Sequence, residues 1–206
     1  MNTAANALPD IRRPGVGTVM SSEWTLRTPE RQRRTAETLV DVWSAGGWPD
    51  GLQTYSFHLG TDGSTILHYS QWRDDRAYQE FFRNGRGPRV DRIDAAVPGI
   101  ERHDLAFYRL RRTFAGDAGR PEIIVTEFIE AAGEDDARRR IDALSATRER
   151  TRPAGLITAG LHLSSDGRRI LDYSEWSGEE AFDAHLGIPD GTRRIKRFRP
   201  YRSLAR

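Results

Sequence analysis

The strongest constraint on this chain is that it contains one segment twice. Residues 51–82 align with residues 155–186 at a constant offset of 104 and without a gap, and 13 of the 32 positions are identical. The shared residues include the Asp-Gly pairs at 62–63 and 166–167, Tyr69 and Tyr173, and Trp72 and Trp176. Self-similarity at a fixed period marks a duplicated supersecondary unit, so the fold has to be sought in the unit rather than in the whole chain. At the same offset Val19, Ser22, Glu23, Trp24 and Thr25 fall on Ile123, Thr126, Glu127, Phe128 and Ile129, which brings the first strand into the repeat.

Each copy reads as strand, helix, two strands, helix, strand. In the first, residues 16–26 alternate in strand fashion, and residues 29–45 place Ala36, Leu39, Val40 and Trp43 on one helical face. Thr28 before Pro29 is a helix start. Strands at 53–59 and 65–72 flank Asp62-Gly63, a pair that suits a type I′ turn because both central residues there need φ > 0. A helix at 75–82, a loop at 87–100 and a strand at 105–113 complete the copy. The second copy repeats the order at 122–130, 134–150, 157–163, 169–176, 179–186 and 197–204, with only a reduced counterpart of the loop. The expected boundaries are a disordered tail at 1–14, a first repeat at 15–113, a linker at 114–120 and a second repeat at 121–206.

That order is the ferredoxin-like βαββαβ unit of an α+β protein. Its sheet carries helices on one face and leaves the other partly apolar, and two such sheets packed face to face cover it. The expectation is therefore an intramolecular α+β barrel made by the two repeats of one chain, with further pairing into a homodimer left open.

Composition narrows the chemistry. With no cysteine, thiolate nucleophiles, iron–sulfur clusters and cysteine zinc sites are excluded. The 32 basic residues, among which Lys196 is the only lysine, are interspersed with 30 acidic ones. The net charge of +2 and the lack of a reader motif argue against nucleic acid as a partner. No stretch has the roughly 18–20 apolar residues of a membrane span, and the first 14 residues lack an apolar leader core, so no membrane partner and a cytoplasmic location are expected. The histidines at 58, 68, 103, 162 and 185 form no HExxH and no close pair, and Gly15-Val16-Gly17 precedes a strand instead of opening a helix. Neither a metal nor a flavin or nicotinamide cofactor is indicated. Arg83, Arg86, Arg89 and Arg92 around the loop read by default as solvated surface, with a clamp for an acidic or polyketide substrate as the alternative, and Arg138 to Arg140 read as the outer face of a helix.

The run His68-Tyr69-Ser70-Gln71-Trp72-Arg73-Asp74-Asp75-Arg76-Ala77-Tyr78, repeated as Asp172 to Phe182, resembles the signature segment of antibiotic biosynthesis monooxygenase domains, members of the dimeric α+β barrel superfamily. The resemblance implies a cofactor-free oxygenase acting with molecular oxygen on an aromatic polyketide or a phenolic, anthrone-type intermediate. It implies a pocket between sheet and helices lined by a strand residue four before the Trp, the Trp itself and a Tyr six after it. Those positions are His68, Trp72 and Tyr78 in the first copy, and Asp172, Trp176 and Phe182 in the second. The family's strand asparagine is absent from both. His68, with an imidazole pKa ordinarily about 6.5, is the expected proton-exchanging partner of the substrate, Tyr78 an oxyanion donor and Trp72 a stacking surface. Tyr55, His58, Phe81 and Trp24 are further candidates for substrate contact, and Asp172, Trp176 and His162 are their weaker second-copy counterparts. His58 and His162 stand at equivalent positions, which favours a structural role for them, and loop length decides which sheet face they occupy. A non-oxidative polyketide cyclase and a non-catalytic binding or scaffolding protein remain open on the same fold.

Overall fold

The structure, a computed structural model, describes residues 8–186 and 194–205 of the 206-residue chain. Among these the element order is β1 (Thr18–Thr25), α1 (Pro29–Ala45), β2 (Leu52–Gly60), β3 (Thr65–Trp72), α2 (Asp75–Asn84), α3 (Gly87–Ala96), β4 (Glu101–Ala115), β5 (Ile123–Glu130), α4 (Glu134–Thr151), β6 (Leu156–Ser164), β7 (Arg169–Trp176), α5 (Glu179–Leu186) and β8 (Arg194–Ala205). The chain is α+β and folds as two compact units whose boundaries fall inside β4 and β8. One takes the chain up to Ala106 together with the segment from Tyr201 onward, and the other takes Phe107–Pro200. No described helix is long and apolar enough to cross a membrane.

In the first unit β3 lies between β1 and β2, antiparallel to both. The end of β8 lies beside β2, where Ser203 and Ser56 share a hydroxyl–hydroxyl bond of 2.7 Å. Thr28 caps α1, its hydroxyl accepting from the Arg31 N–H at 3.3 Å, with Pro29 in the first turn as its fixed φ favours. The buried stripe of α1 is Gln32, Thr35, Ala36, Leu39, Val42 and Trp43, a 3.6-residue period in which Val42 takes the place expected for Val40. Gln32, buried, donates to the carbonyls of Gly60 and Thr65 and fastens the helix to the β2–β3 hairpin.

The second unit orders its strands β8-β5-β7-β6-β4, with β4–β6, β5–β7, β5–β8 and β6–β7 all antiparallel. Strand β5 between β8 and β7, with β6 outside β7, is the ferredoxin-like order. Buried Ile123, Val125, Leu156, Trp176 and Phe182 form one part of its core, while Ala137 and Ile141 of α4 pack on Leu161, Leu163 and Ile170 in another.

Several expectations change. Residues 1–7 of the expected tail lie outside the described residues, but 8–14 are held: Pro9 and Ile11 are buried, and the Asp10 carbonyl accepts from Gln71 Nε2 at 2.8 Å. Phe114 and Ala115, assigned to the linker, continue β4 and pair with Ala159 and Thr158. The loop expected at 87–100 contains α3, because Pro88 sits in a first turn, where its missing N–H costs nothing. The hairpin turn is not type I′. Gly63 alone has positive φ, +69°, while Asp62 keeps negative φ and accepts the Ser64 and Thr65 N–H groups on its carboxylate.

The two copies also align differently in their first halves. Trp72 pairs with Thr18 and Trp176 with Ile123, so Thr18, not Val19, is the counterpart of Ile123. The helix caps Thr28 and Gly133 show the same spacing of 105, whereas β2, β3 and α2 follow the spacing of 104. The second copy is one residue shorter between its first helix and second strand. Because side chains alternate along a strand, the single residue moves the whole first strand by one face. Glu23 stands opposite Leu67, but Glu127 stands opposite Asp172 on the helix-covered side.

Gly51 and Gly155 explain two of the shared identities. Both have positive φ, +75° and +78°, and a Cβ on either would lie 2.4 or 2.6 Å from the Cβ of Ala77 or Ala181. Gly51→Ala combines backbone strain with a steric clash at the start of α2, and a loss of roughly 2–4 kcal/mol is expected in chemical denaturation. A loss under about 0.5 kcal/mol, the scale of an ordinary surface substitution, would show that the close approach is not structural.

Candidate active site in the first repeat

Across β1, β3 and β2 the register aligns Ser22, His68 and Phe57, and two residues away Met20, Ser70 and Tyr55. These residues share the sheet face covered by α1, α2 and α3. Between sheet and helices lies a cavity of about 210 Å³. Trp24, Tyr55 and His68 come from the strands, and Trp43, Tyr78 and Phe81 from the helices. Arg86, Arg89, Val90 and Ile93 from the α3 segment and Arg102, His103 and Leu105 from β4 complete the wall.

The aromatic groups lock one another. Trp43 stacks on Tyr55 at 4.2 Å between ring centroids, and Trp24 lies 4.1 Å from the His68 ring. The Tyr55 hydroxyl is 2.6 Å from His68 Nδ1. Trp43 hydrogen-bonds the Tyr55 oxygen, and burial pushes the Tyr55 hydroxyl far above its ordinary range, so Tyr55 keeps its proton and donates it to Nδ1. That assigns the His68 proton to Nε2, a buried atom with no hydrogen-bond partner. Burial, with Arg102 and His58 adding to it, pushes the His68 pKa down to about 3. At neutral pH His68 is therefore a neutral N–H donor and not the proton-exchanging base expected from an ordinary imidazole.

Of the other expected site residues, Tyr55, Tyr78, Phe81 and Trp24 line the cavity. Trp72 does not. It is 1% exposed, packs edge-on against Tyr78 and beside Phe81, and donates its indole N–H to Ser70 Oγ at 2.9 Å. Trp176 makes the identical bond to Ser174, so this pair is core. His58 pairs with Leu67, one residue out of phase with His68, and lies on the opposite sheet face. His162 does the same opposite Leu171, with Nδ1 3.2 Å from the Leu171 carbonyl.

The second unit has charge at the equivalent positions. Asp172, in the place of His68, pairs with Arg148, which the 105-residue spacing puts in the place of Trp43. Tyr55 is matched by Ala159, Tyr78 by Phe182 and Phe81 by His185. One repeat thus places aromatic rings at these positions and the other an ion pair.

Trp43 and Arg102 were not legible as site residues in the sequence. Trp43 announces itself only as part of an apolar helix face. Arg86 and Arg89 look like surface residues until α3 turns them inward, and of the four arginines there Arg83 and Arg92 alone are exposed. Arg89 lies over the Trp43 and Phe81 rings at 4.8 and 5.4 Å, and Arg102 over Trp24 at 4.4 Å.

The described residues superpose over most of their length on solved structures. An anthrone oxidase-like protein matches with a TM-score of 0.69 at 17% identity, over 90% of this chain and 92% of that one. The chain shares the fold of monooxygenase-like ferredoxin-fold proteins. Others of this kind are a ferredoxin-fold protein related to antibiotic biosynthesis monooxygenases from Listeria monocytogenes, at TM-score 0.52, 12% identity and 90% and 96% coverage, and a monooxygenase-like protein from Listeria innocua, at 0.51, 13% and 92% and 98%. No family model and no curated protein matches the sequence.

Proposed function

We propose that the first repeat is a cofactor-independent monooxygenase that oxidises a compact phenolic or anthrone-type intermediate, with molecular oxygen as co-substrate. The observation that carries the reading is an aromatic cavity with His68 in its wall, a buried imidazole whose Nε2 has no hydrogen-bond partner. Likeness in fold to an anthrone oxidase-like protein supports it. A bound anthrone or phenol loses a proton to solvent, and the oxyanion of its enolate accepts from His68 Nε2 while the aromatic walls exclude bulk water. The carbanion passes one electron to O₂, the radical pair forms a C–O–O bond, and loss of water leaves a carbonyl. One oxygen atom ends in the product and the other in water. Tyr55 is the positioning residue that holds the His68 tautomer, and Tyr78 is a second donor at the far wall.

The test is incubation of the full, metal-free chain with anthrone under ¹⁸O₂. One labelled oxygen in the quinone is expected, at a rate above that of the protein-free solution. His68→Phe removes the donor and is expected to lower kcat/KM by roughly 10²-fold, the cost of one oxyanion donor. Because His68 is already neutral, the wild-type pH profile should show no inflection near 6.5 and should rise with the substrate's own ionisation. Oxygen-independent turnover would instead identify a cyclase. Full activity in His68→Phe would remove the assigned role.

A further inference from the structure

The charge on the cavity wall is one-sided. Three guanidinium groups line it, those of Arg86, Arg89 and Arg102, and no carboxylate does. Arg102 is matched by Asp94 at 2.5 Å just outside the lining. Arg86 and Arg89 make no ion pair with any described residue. Arg89 is held by the Gly85 and Gly47 carbonyls through its two Nη atoms, yet its Nε is buried without a partner. In the second repeat the one deeply buried arginine, Arg148, has its own carboxylate in Asp172. Partly buried cations gain from an opposite charge, and two unopposed ones at the wall of an aromatic cavity favour an anion there.

We infer that the cavity binds an aromatic acid, a compact ring system carrying a carboxylate that lies against Arg86 and Arg89 while the rings lie among Trp24, Trp43 and Tyr55. This rests on the oxygenase reading for its chemistry and adds the substrate class: the ring end meets His68 and the acid end meets α3. The α3 segment belongs to the wall of the first repeat's cavity. The acid also fits a volume of about 210 Å³, since so small a cavity offers limited apolar contact and charge-assisted bonds supply the remainder of the affinity.

Binding is tested without turnover, by quenching of the tryptophan fluorescence of the full chain with 2-naphthoate and with its neutral isostere 2-naphthamide. The acid is expected to bind about tenfold more tightly at low salt, and the advantage should shrink as ionic strength rises. Arg86→Gln, at a half-buried side chain with no described hydrogen bond to lose, should remove most of that advantage and leave naphthamide affinity where it was. Arg89→Gln, with an unchanged circular dichroism spectrum as its control, should also reduce the preference for the acid over the amide. Equal affinity for acid and amide would overturn the inference and leave the aromatic cavity intact. Binding of neither compound would overturn both it and the oxygenase reading. Retention of the full acid preference in both arginine variants would place the anion elsewhere and overturn the assignment.

Discussion

Replacing Arg148 by alanine is expected to destabilise the protein by about 3–5 kcal/mol, because it strands the Asp172 carboxylate in the second repeat's core. The Arg148 and Asp172 side chains are 10% and 5% exposed, so solvent does not screen the loss. In a domain of this size the change should lower Tm by roughly 10 °C. The double variant Arg148→Leu, Asp172→Leu, which removes both charges and keeps apolar volume, should recover most of that, since pairing two buried ions barely repays their desolvation. Differential scanning calorimetry of the three proteins decides the matter. Equal losses in the single and double variants would mean that packing of the arginine stem, not its charge, is what the core needs.

A second large effect is expected on acidification. His58, His68 and His162 are fully buried, and burial lowers their pKa values to about 3, about 3 and about 4. Each folded value lies below the unfolded value near 6.5, so the unfolded chain binds more protons as pH falls. The stability held above pH 6.5 is therefore lost on going down towards pH 4. Each histidine contributes a slope of up to about 1.4 kcal/mol per pH unit in that window, or about 4 kcal/mol per unit for the three together. Urea unfolding at pH 7 and pH 5 should show the fall, and His58→Gln should flatten it by about a third. A free energy unchanged between these pH values would mean that the rings titrate while still in the folded state.

The same burial shapes the chemistry. A histidine poised near neutrality would be a base, but one inside an aromatic wall with its Nδ1 occupied by Tyr55 is a fixed donor. In the proposed oxygenase, proton transfer comes from the substrate and solvent, and Arg102 with the α3 arginines supplies charge complementary to an ionised substrate.

Much of this fold was written in local patterns. The duplicated hairpins, the Thr28-Pro29 helix start, the 3.6-residue stripe of α1 and the alternation of β1 are all set by neighbours a few residues apart, and the structure has each of them near its expected bounds. Tyr55, His68, Tyr78, Phe81 and Trp24 could be named because they lie on those elements. What sequence alone left undecided depends on contacts between elements. The one-residue shift between the copies puts β5 residues on the sheet face opposite that of the β1 residues they match in the sequence repeat, and no local signal distinguishes a spacing of 104 from 105. The hairpin register sends His58 away from the cavity and His68 into its wall. Pro88 and Gly87 look like chain breakers until α3 packs, and only then do Arg86 and Arg89 become cavity residues. Trp43 and Arg148, equivalent in the two helices, take opposite roles because of what faces them across the sheet. Periodicity determines which elements form. Burial and pairing of side chains far apart in the chain determine which face becomes a site.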